Sequence, residues 1–257
     1  MRQYHIQVSD GEVGRYVLMP GDPARSEIIA KYFDKPALVA KNREFTTYTG
    51  EIDGELVSVC STGIGSPSSA IAMEELIKVG ADTFIRVGTC GALQKGIHFG
   101  DLVLVNAAVR DEGTSLRYLP VEFPAVADFE VIADFREGLR REGIATIVGT
   151  SVSVDAFYGE SETVSMPLSA ELTARIEAWR RGGAVCAEME CSALYIVAAV
   201  RGVRAGGVMV VVDEVQGGMP PADKIPVEIL ANGAIKGLKY LIGRDRDRTT
   251  EKKQIKL

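Results

Sequence analysis

Residues 83–91 read Thr83-Phe84-Ile85-Arg86-Val87-Gly88-Thr89-Cys90-Gly91, an apolar strand pattern that carries an arginine into a loop of small residues. Burying a guanidinium in an apolar strand is costly unless an anion or several carbonyl groups meet it. The glycines let the backbone turn closely around a ligand, and Thr89 offers a hydroxyl and backbone N–H groups beside Arg86. The stretch therefore predicts either a phosphate-sized pocket or an internal ion pair between Arg86 and an acidic residue.

The length and composition indicate a single α/β domain with a full hydrophobic core. The chain has 257 residues, 46% of them hydrophobic, and no Pro/Ser/Gly-rich linker divides it. Its formal charge of −6 argues against nucleic acid or an anionic membrane as a partner. No apolar run reaches the roughly 18 residues of a membrane span, and the first residues lack a secretory hydrophobic region. We therefore expect a cytoplasmic protein.

Cysteine and histidine are too sparse to favour a metal site or a hydrolase triad. The four cysteines lie in apolar or small-residue contexts without a CxxC pair, and they are Cys60, Cys90, Cys186 and Cys191. This pattern predicts buried thiols. The two histidines, His5 and His98, are far apart in the sequence, which gives little support to Ser-His-Asp or Cys-His chemistry. We expect no metal.

Apolar strand-like runs alternate along the chain with helical patterns. The predicted strands are 16–20, 56–61, 83–88, 102–107, 147–154, 185–189 and 204–212, and the predicted helices are 23–33, 66–79, 128–141, 170–181, 191–200 and 229–241. The alternation predicts an α/β fold with a mixed or largely parallel central sheet flanked by helices. We assign one domain to residues 1–242 and interpret the charged segment 243–257 as a solvated or frayed C-terminal tail.

Ligands of such sheets bind at the carboxyl ends of the strands. The chain has glycine-rich or acidic loops there at 20–23, 62–65, 88–91 and 213–214, but neither GxGxxG nor GxxxxGK[ST], so a nucleotide cofactor is not favoured. Arg25 lies one turn inside the helix that follows the first loop, where an anion would be attracted. Arg43 is a third candidate cation. Spacing alone leaves open whether these two arginines bind a ligand or pair with acidic residues.

Seven motifs in order resemble the nucleoside phosphorylases of the purine nucleoside phosphorylase and uridine phosphorylase superfamily. They are MPGDPAR (19–25), REFTTYTG (43–50), STGIGSPS (61–68), FIRVGTCGA (84–92), EFPAVADFE (122–130), DAFY (155–158) and AEMECSALY (187–195). The resemblance covers roughly residues 4–240. It implies a single-domain phosphorylase fold and phosphorolysis of a ribonucleoside to free base and ribose 1-phosphate. Phosphate would be a substrate, so no cofactor is implied.

The resemblance also implies a shared phosphate and ribose site. The implied phosphate-binding residues are Gly21, Arg25, Arg43, Arg86 and Thr89, with Arg43 reaching into a neighbouring subunit's pocket. His5 resembles a histidine that is donated across a dimer interface to the ribose 5′-hydroxyl. Dimers with shared active sites, assembled into a hexamer, are therefore expected by resemblance.

The implied ribose and base residues follow three later strands. Glu190 would accept hydrogen bonds from the ribose 2′- and 3′-hydroxyls, and Met189 would pack beneath the sugar. Glu188, on the same side of the strand as Glu190, would support the site. Phe157 would stack on the base. Asp213 would protonate a departing purine at N7, since burial beside an apolar strand raises a carboxyl pKa. Glu214 is the adjacent alternative, and Arg86 and Asp213 are the expected catalytic residues.

The base preference is predicted from residues 159–163, Gly159-Glu160-Ser161-Glu162-Thr163, which follow the DAFY motif. Uridine enzymes of the family carry a glutamine and an arginine there, so their absence favours a purine nucleoside. Residues 117–124 and 3–6 instead favour the uridine branch. We predict a purine nucleoside, with uridine as the alternative. Further alternatives are 5′-methylthioadenosine phosphorolysis, a hydrolytic nucleosidase and a non-catalytic nucleoside binder.

Overall fold

The structure, a computed structural model, describes residues 1–215, 221 and 224–255, with side chains through residue 250. Its strands are β1 (Tyr16–Pro20), β2 (Asp34–Asn42), β3 (Phe45–Ile52), β4 (Glu55–Cys60), β5 (Thr83–Ala92), β6 (Leu102–Asp111), β7 (Ala125–Val126), β8 (Thr146–Val154), β9 (Cys186–Glu188) and β10 (Arg204–Asp213). Its helices are α1 (Pro23–Ala30), α2 (Ser66–Lys78), α3 (Phe129–Arg141), α4 (Phe157–Ser161), α5 (Ser169–Arg181), α6 (Cys191–Arg201) and α7 (Val227–Ile255). The predicted α/β class with a mixed, helix-flanked sheet is confirmed.

One sheet joins the strands in the order β10-β6-β8-β9-β5-β1-β4-β3-β2. Because β10 also pairs with β5, the first five strands of this order close on themselves. The pairings of β5 with β1 and β10 are parallel, and so are those of β8 with β6 and β9. Strand β9 instead runs antiparallel to the end of β5, with Ala187 opposite Gly91. The carboxyl ends of β1, β5 and β10 therefore lie near one another, with the short strand β9 beside the end of β5, and the candidate site forms there.

Strand β5 separates two hydrophobic clusters by the alternation of its side chains. Phe84 packs in the cluster that contains residues of α2 and α6, whereas Ile85 and Val87 pack with residues of α1, α3 and α7. Since side chains alternate along a strand, Arg86 shares the face of Phe84. The arginine is thereby directed towards the amino-terminal ends of α2 and α6.

The predicted glycine loop after Arg86 is a continuation of β5. Gly88 and Thr89 pair in register with Met209 and Val210 of β10. A Cβ at Gly88 would lie 2.7 Å from the Met209 sulfur and 3.2 Å from the Arg86 Cζ. Glycine is thus required here by close packing around the guanidinium, since no left-handed turn occurs.

The hairpin of β2 and β3 and the short strand β7 were not predicted. Most of β2 is exposed, so residues 34–42 lack the alternation of apolar and polar side chains that marks a half-buried strand. The predicted helix at 23–33 ends earlier, at Ala30. All four cysteines are free and buried, as expected.

The charged segment predicted as a tail instead extends α7. Asp245 accepts hydrogen bonds from Tyr16 at 2.7 Å and from Arg204 at 2.6 Å, and Arg248 pairs with Asp134 at 2.7 Å. Residues 243–250 are therefore docked against β1, β10 and α3. Among the residues that the structure describes, no helix has both the length and the apolar character needed to cross a membrane.

Candidate active site

A buried ion pair between Arg86 and Glu190 forms the centre of the site. Arg86 Nη2 donates to Glu190 Oε2 at 2.6 Å, and its Nη1 donates to the Met19 carbonyl at 3.0 Å. The two side chains are only 6% and 4% exposed. The internal ion pair that the sequence left open is therefore present. It does not saturate the guanidinium, because Arg86 Nε is buried without a hydrogen-bond partner.

Arg25 places a second guanidinium beside the first. It lies in the opening turn of α1, whose N-cap residue Asp22 accepts the Ala24 N–H at 2.9 Å. Burial and then the positive charge of Arg86 lower the pKa of Arg25, and Arg25 Nε is also buried without a partner. Two neighbouring cations with unpaired buried N–H groups form a site suited to an anion.

Gly21 lets the β1–α1 loop lie against these arginines. A Cβ at this position would lie 3.4 Å from Arg86 Nη2 and 3.1 Å from the Gly63 carbonyl oxygen. Thr89 is on the same strand as Arg86, partly buried, three residues closer to the carboxyl end. Strands β1 and β5 and helix α1 thus bring Gly21, Arg25 and Arg86 together, and Thr89 lies further along β5.

The amino-terminal end of α2 holds Met189 and Glu190. Gly65 N donates to Glu190 Oε1 at 2.7 Å, and the Ser66 hydroxyl donates to the Met189 carbonyl at 2.8 Å. A helix amino terminus favours a carboxylate because its free N–H groups and dipole point outwards. These two contacts were not predicted, although Gly65 and Ser66 both lie in the STGIGSPS motif.

Glu188 supports the backbone that carries Glu190. Its Oε2 accepts the N–H groups of Glu190 at 2.7 Å and Cys191 at 2.8 Å, while its Oε1 accepts the hydroxyls of Ser151 and Ser153. Burial, and next the charge of Glu190, raise the pKa of Glu188. The carboxylate therefore fixes the turn between β9 and α6.

Asp213 and Glu214 at the end of β10 have different environments. Asp213 pairs with Gly91 across the sheet, has a buried Oδ1 without a partner, and has a pKa raised by burial. Glu214 instead accepts a hydrogen bond from the Phe99 N–H at 2.8 Å. This bond lowers the pKa of Glu214 most, and the hydrogen bond with the His98 side chain lowers it further. The geometry favours Asp213 over Glu214 as an acid available to a ligand.

Comparison with known proteins agrees with this arrangement. The chain matches the family model of the phosphorylase superfamily over residues 15–236. The chain belongs to this superfamily. It is 43% identical to a uridine phosphorylase of Treponema pallidum (strain Nichols) over 249 residues, which is 96% of each chain. It is 44% identical to a uridine phosphorylase of Escherichia coli (strain K12), covering 86% of this chain and 89% of that protein.

A purine-type relative is also similar. A guanosine phosphorylase of Halorubrum lacusprofundi is 40% identical over 82% of this chain and 83% of its own. Together the matches confirm a nucleoside phosphorylase, a pentosyltransferase. Most of these relatives are uridine phosphorylases, so the predicted preference for purines is not supported.

Three predicted site residues of this phosphorylase lie outside the Arg86–Glu190 cluster. His5 Nδ1 contacts Glu75 Oε1 at 2.7 Å, and Arg43 occupies an exposed turn at φ 54° without an ion pair in the described part of the chain. Phe157 is 40% exposed and packs edge-on against Tyr158. Their roles stay predictions.

No metal site was expected. In residues 1–215, 221 and 224–250, no group of three or more His, Cys, Asp and Glu side chains is arranged to hold a metal ion.

Proposed function

We propose that this nucleoside phosphorylase cleaves uridine with phosphate, giving uracil and ribose 1-phosphate. The choice of uridine is supported by the uridine phosphorylases of Treponema pallidum and Escherichia coli, which match the chain over 96% and 86% of its length. The motifs at residues 117–124 and 3–6 favour the same branch.

The observation that carries the phosphate part of the proposal is the pair of unpaired buried Nε atoms on Arg25 and Arg86. A phosphate dianion there would receive charge-assisted hydrogen bonds from both guanidinium groups. Thr89, three residues further along β5, is expected to add a hydroxyl or backbone donor. Holding the phosphate nucleophile in this way makes its attack on C1′ effectively unimolecular, because the reacting atoms are already oriented.

Glu190 is suited to the ribose. Breaking the glycosidic bond builds positive charge on the sugar ring, which a nearby carboxylate stabilises. Its two oxygens already accept Gly65 N and Arg86 Nη2, but each carboxylate oxygen has a second lone pair for a ribose hydroxyl. Met189, held by Ser66, would lie beneath the sugar.

Guanosine is a second candidate substrate, favoured by one specific observation. The Asp213 carboxyl has a raised pKa and an unpaired buried oxygen, properties of a general acid that protonates a purine at N7. The guanosine phosphorylase of Halorubrum lacusprofundi is 40% identical to the chain.

The deciding experiment incubates the purified protein with uridine, guanosine, inosine, adenosine and 5′-methylthioadenosine, each with and without phosphate. Phosphate-dependent release of uracil, with kcat/KM highest for uridine, is expected. A higher value for guanosine or inosine would replace the uridine assignment with the purine one. Turnover without phosphate would indicate a nucleosidase, and binding without turnover a non-catalytic nucleoside binder.

We also propose that the enzyme works as a homo-oligomer in which Arg43 and His5 serve a neighbour's site. The exposed, unpaired position of Arg43 in the described structure supports this proposal. Light scattering should show a dimer or hexamer. Mixing Arg43→Ala subunits with Arg86→Ala subunits should restore some activity if sites are shared, and a monomeric active protein would contradict the proposal.

A further inference from the structure

A second buried carboxylate, Glu112, lies just beyond the end of β6 and is 4% exposed. Its Oε1 accepts the Ser192 hydroxyl at 2.8 Å, and its Oε2 accepts the Ser115 N–H at 2.9 Å. No ion pair involves Glu112 in the described residues. Burying a carboxylate costs desolvation free energy even when neutral donors form hydrogen bonds to it. We therefore ask which groups Glu112 holds in place through those hydrogen bonds.

Hydrogen bonds connect Glu112 to the turn that carries Glu190. Ser192 N donates to the Ser153 hydroxyl at 2.9 Å, and Ser153 in turn donates to Glu188 Oε1. Glu188 Oε2 accepts the Glu190 N–H at 2.7 Å. The chain thus runs without a break from one buried carboxylate to the backbone of the other.

The segment around Glu112 also contacts the loop that leads into α4. Gly113 N donates to Asp155 Oδ2 at 2.8 Å, and Asp155 lies two residues before Phe157. Arg110 donates to the Ser115 hydroxyl at 2.9 Å and to the carbonyl of Leu119. Residues 110–115 therefore join the β6 end, the α6 amino terminus and the loop that leads into α4.

We propose that Glu112 is a positioning residue for Glu190, acting through Ser192, Ser153 and Glu188. This inference rests on the proposed role of Glu190 in binding ribose. Removing the acceptor at position 112 frees the first turn of α6, which shifts Glu190 relative to the sugar. Arg86 keeps its bond to the Met19 carbonyl, so the phosphate site is affected less.

The test compares Glu112→Met with Glu112→Gln. Methionine matches the length of glutamate but leaves the Ser115 N–H and the Ser192 hydroxyl unpaired, so the KM for the nucleoside should rise about tenfold while the KM for phosphate changes less than about twofold. Glutamine restores the function, because its carbonyl oxygen accepts Ser115 N–H and its amide donates to a rotated Ser192 hydroxyl. Its KM values should stay within about twofold of wild type.

Asp134→Leu is the matched control. Asp134 is 6% exposed and pairs with Arg248, on the opposite side of the sheet from Glu190. Its loss should lower thermal stability without raising the KM for the nucleoside. Equal KM values for Glu112→Met and Asp134→Leu would overturn the inference.

If Glu112→Met does not fold, the inference is tested with Ser192→Ala. This variant removes only the hydroxyl whose hydrogen bond joins Glu112 to α6. A KM for the nucleoside raised several-fold is expected, and an unchanged value would overturn the inference. A wild-type protein without phosphorolysis of any nucleoside would instead overturn the proposed function itself, together with what rests on it.

Discussion

Arg86 Nη2 lies 2.6 Å from Glu190 Oε2, and this single ion pair joins the proposed phosphate site to the proposed ribose site. The residues are 104 positions apart in the chain. They meet because β9 runs antiparallel to the end of β5, with Ala187 opposite Gly91, so that the turn after β9 leads back along β5 towards Arg86. Each is the internal counter-charge of the other while each also has bonding capacity left for a substrate.

Arg86→Ala should lower kcat/KM by at least about 100-fold, since it removes a charge-assisted donor that would hold the phosphate nucleophile in position. It should also destabilise the fold by about 3–5 kcal/mol, because Glu190 would be left as an uncompensated buried charge. The double variant Arg86→Ala/Glu190→Gln should regain much of that stability without regaining activity. Urea unfolding and initial rates check both effects, and full activity in the single variant would defeat the phosphate assignment.

Gly21→Ala should raise the KM for phosphate about tenfold, because the new methyl group would lie 3.4 Å from Arg86 Nη2 and 3.1 Å from the Gly63 oxygen. Gly91→Ala is the control, since its Cβ would meet only the Asp213 Cβ, at 3.8 Å. Steady-state kinetics with varied phosphate should separate the two variants. Identical KM values would show that the β1–α1 loop does not contact phosphate.

Asp213→Asn should slow guanosine cleavage by about 100-fold or more but change uridine cleavage only slightly, because a purine needs a proton at N7. Since burial raises the pKa of Asp213, its protonated form persists to higher pH than for an exposed aspartate, and kcat for guanosine should fall as pH rises through that pKa. Asp213→Asn should abolish this dependence. Glu214→Gln, which changes a carboxylate held by Phe99 N–H, should preserve it.

Asp245→Asn should destabilise the protein by about 1–3 kcal/mol at neutral pH, because Asp245 accepts bonds from Arg204, Tyr16 and Arg248. Burial alone would raise the pKa of Asp245, but the bonds from Arg204 and Tyr16 outweigh it and hold the pKa below its ordinary value of 3.8. The stabilisation is thus present above pH 3.8 and is lost as pH falls through the lower folded-state pKa.

Thermal melts of wild type and Asp245→Asn from pH 7 to pH 3 check this. The difference in Tm should be largest near neutral pH and shrink in acid. A chain truncated after residue 242 should behave like Asp245→Asn, whereas an unchanged Tm would show that residues 243–250 contribute nothing to stability.

Strong periodic patterns made much of the fold predictable. The alternation of apolar runs located β1, β5, β8 and β10, and the Arg86 strand pointed to a buried cation needing an anion. The hairpin of β2 and β3 was not predicted, and for β2 the reason is that its mostly exposed residues show no clear alternation of apolar and polar side chains. The continuation of α7 was not predicted, because its charged residues are typical of a solvated tail. In the structure, Asp245 and Arg248 instead pair with residues far away in the chain.

The sequence by itself determined the α/β class, the family resemblance and the residue types of the candidate site. Only the tertiary structure decided that the anion nearest Arg86 is Glu190, that Asp213 and not Glu214 keeps an unpaired carboxyl oxygen, and that Glu112 connects to the same turn. The reason is physical. Local patterns record which face of an element is buried, whereas partners across a sheet depend on strand order and register, which residues distant in the chain set together.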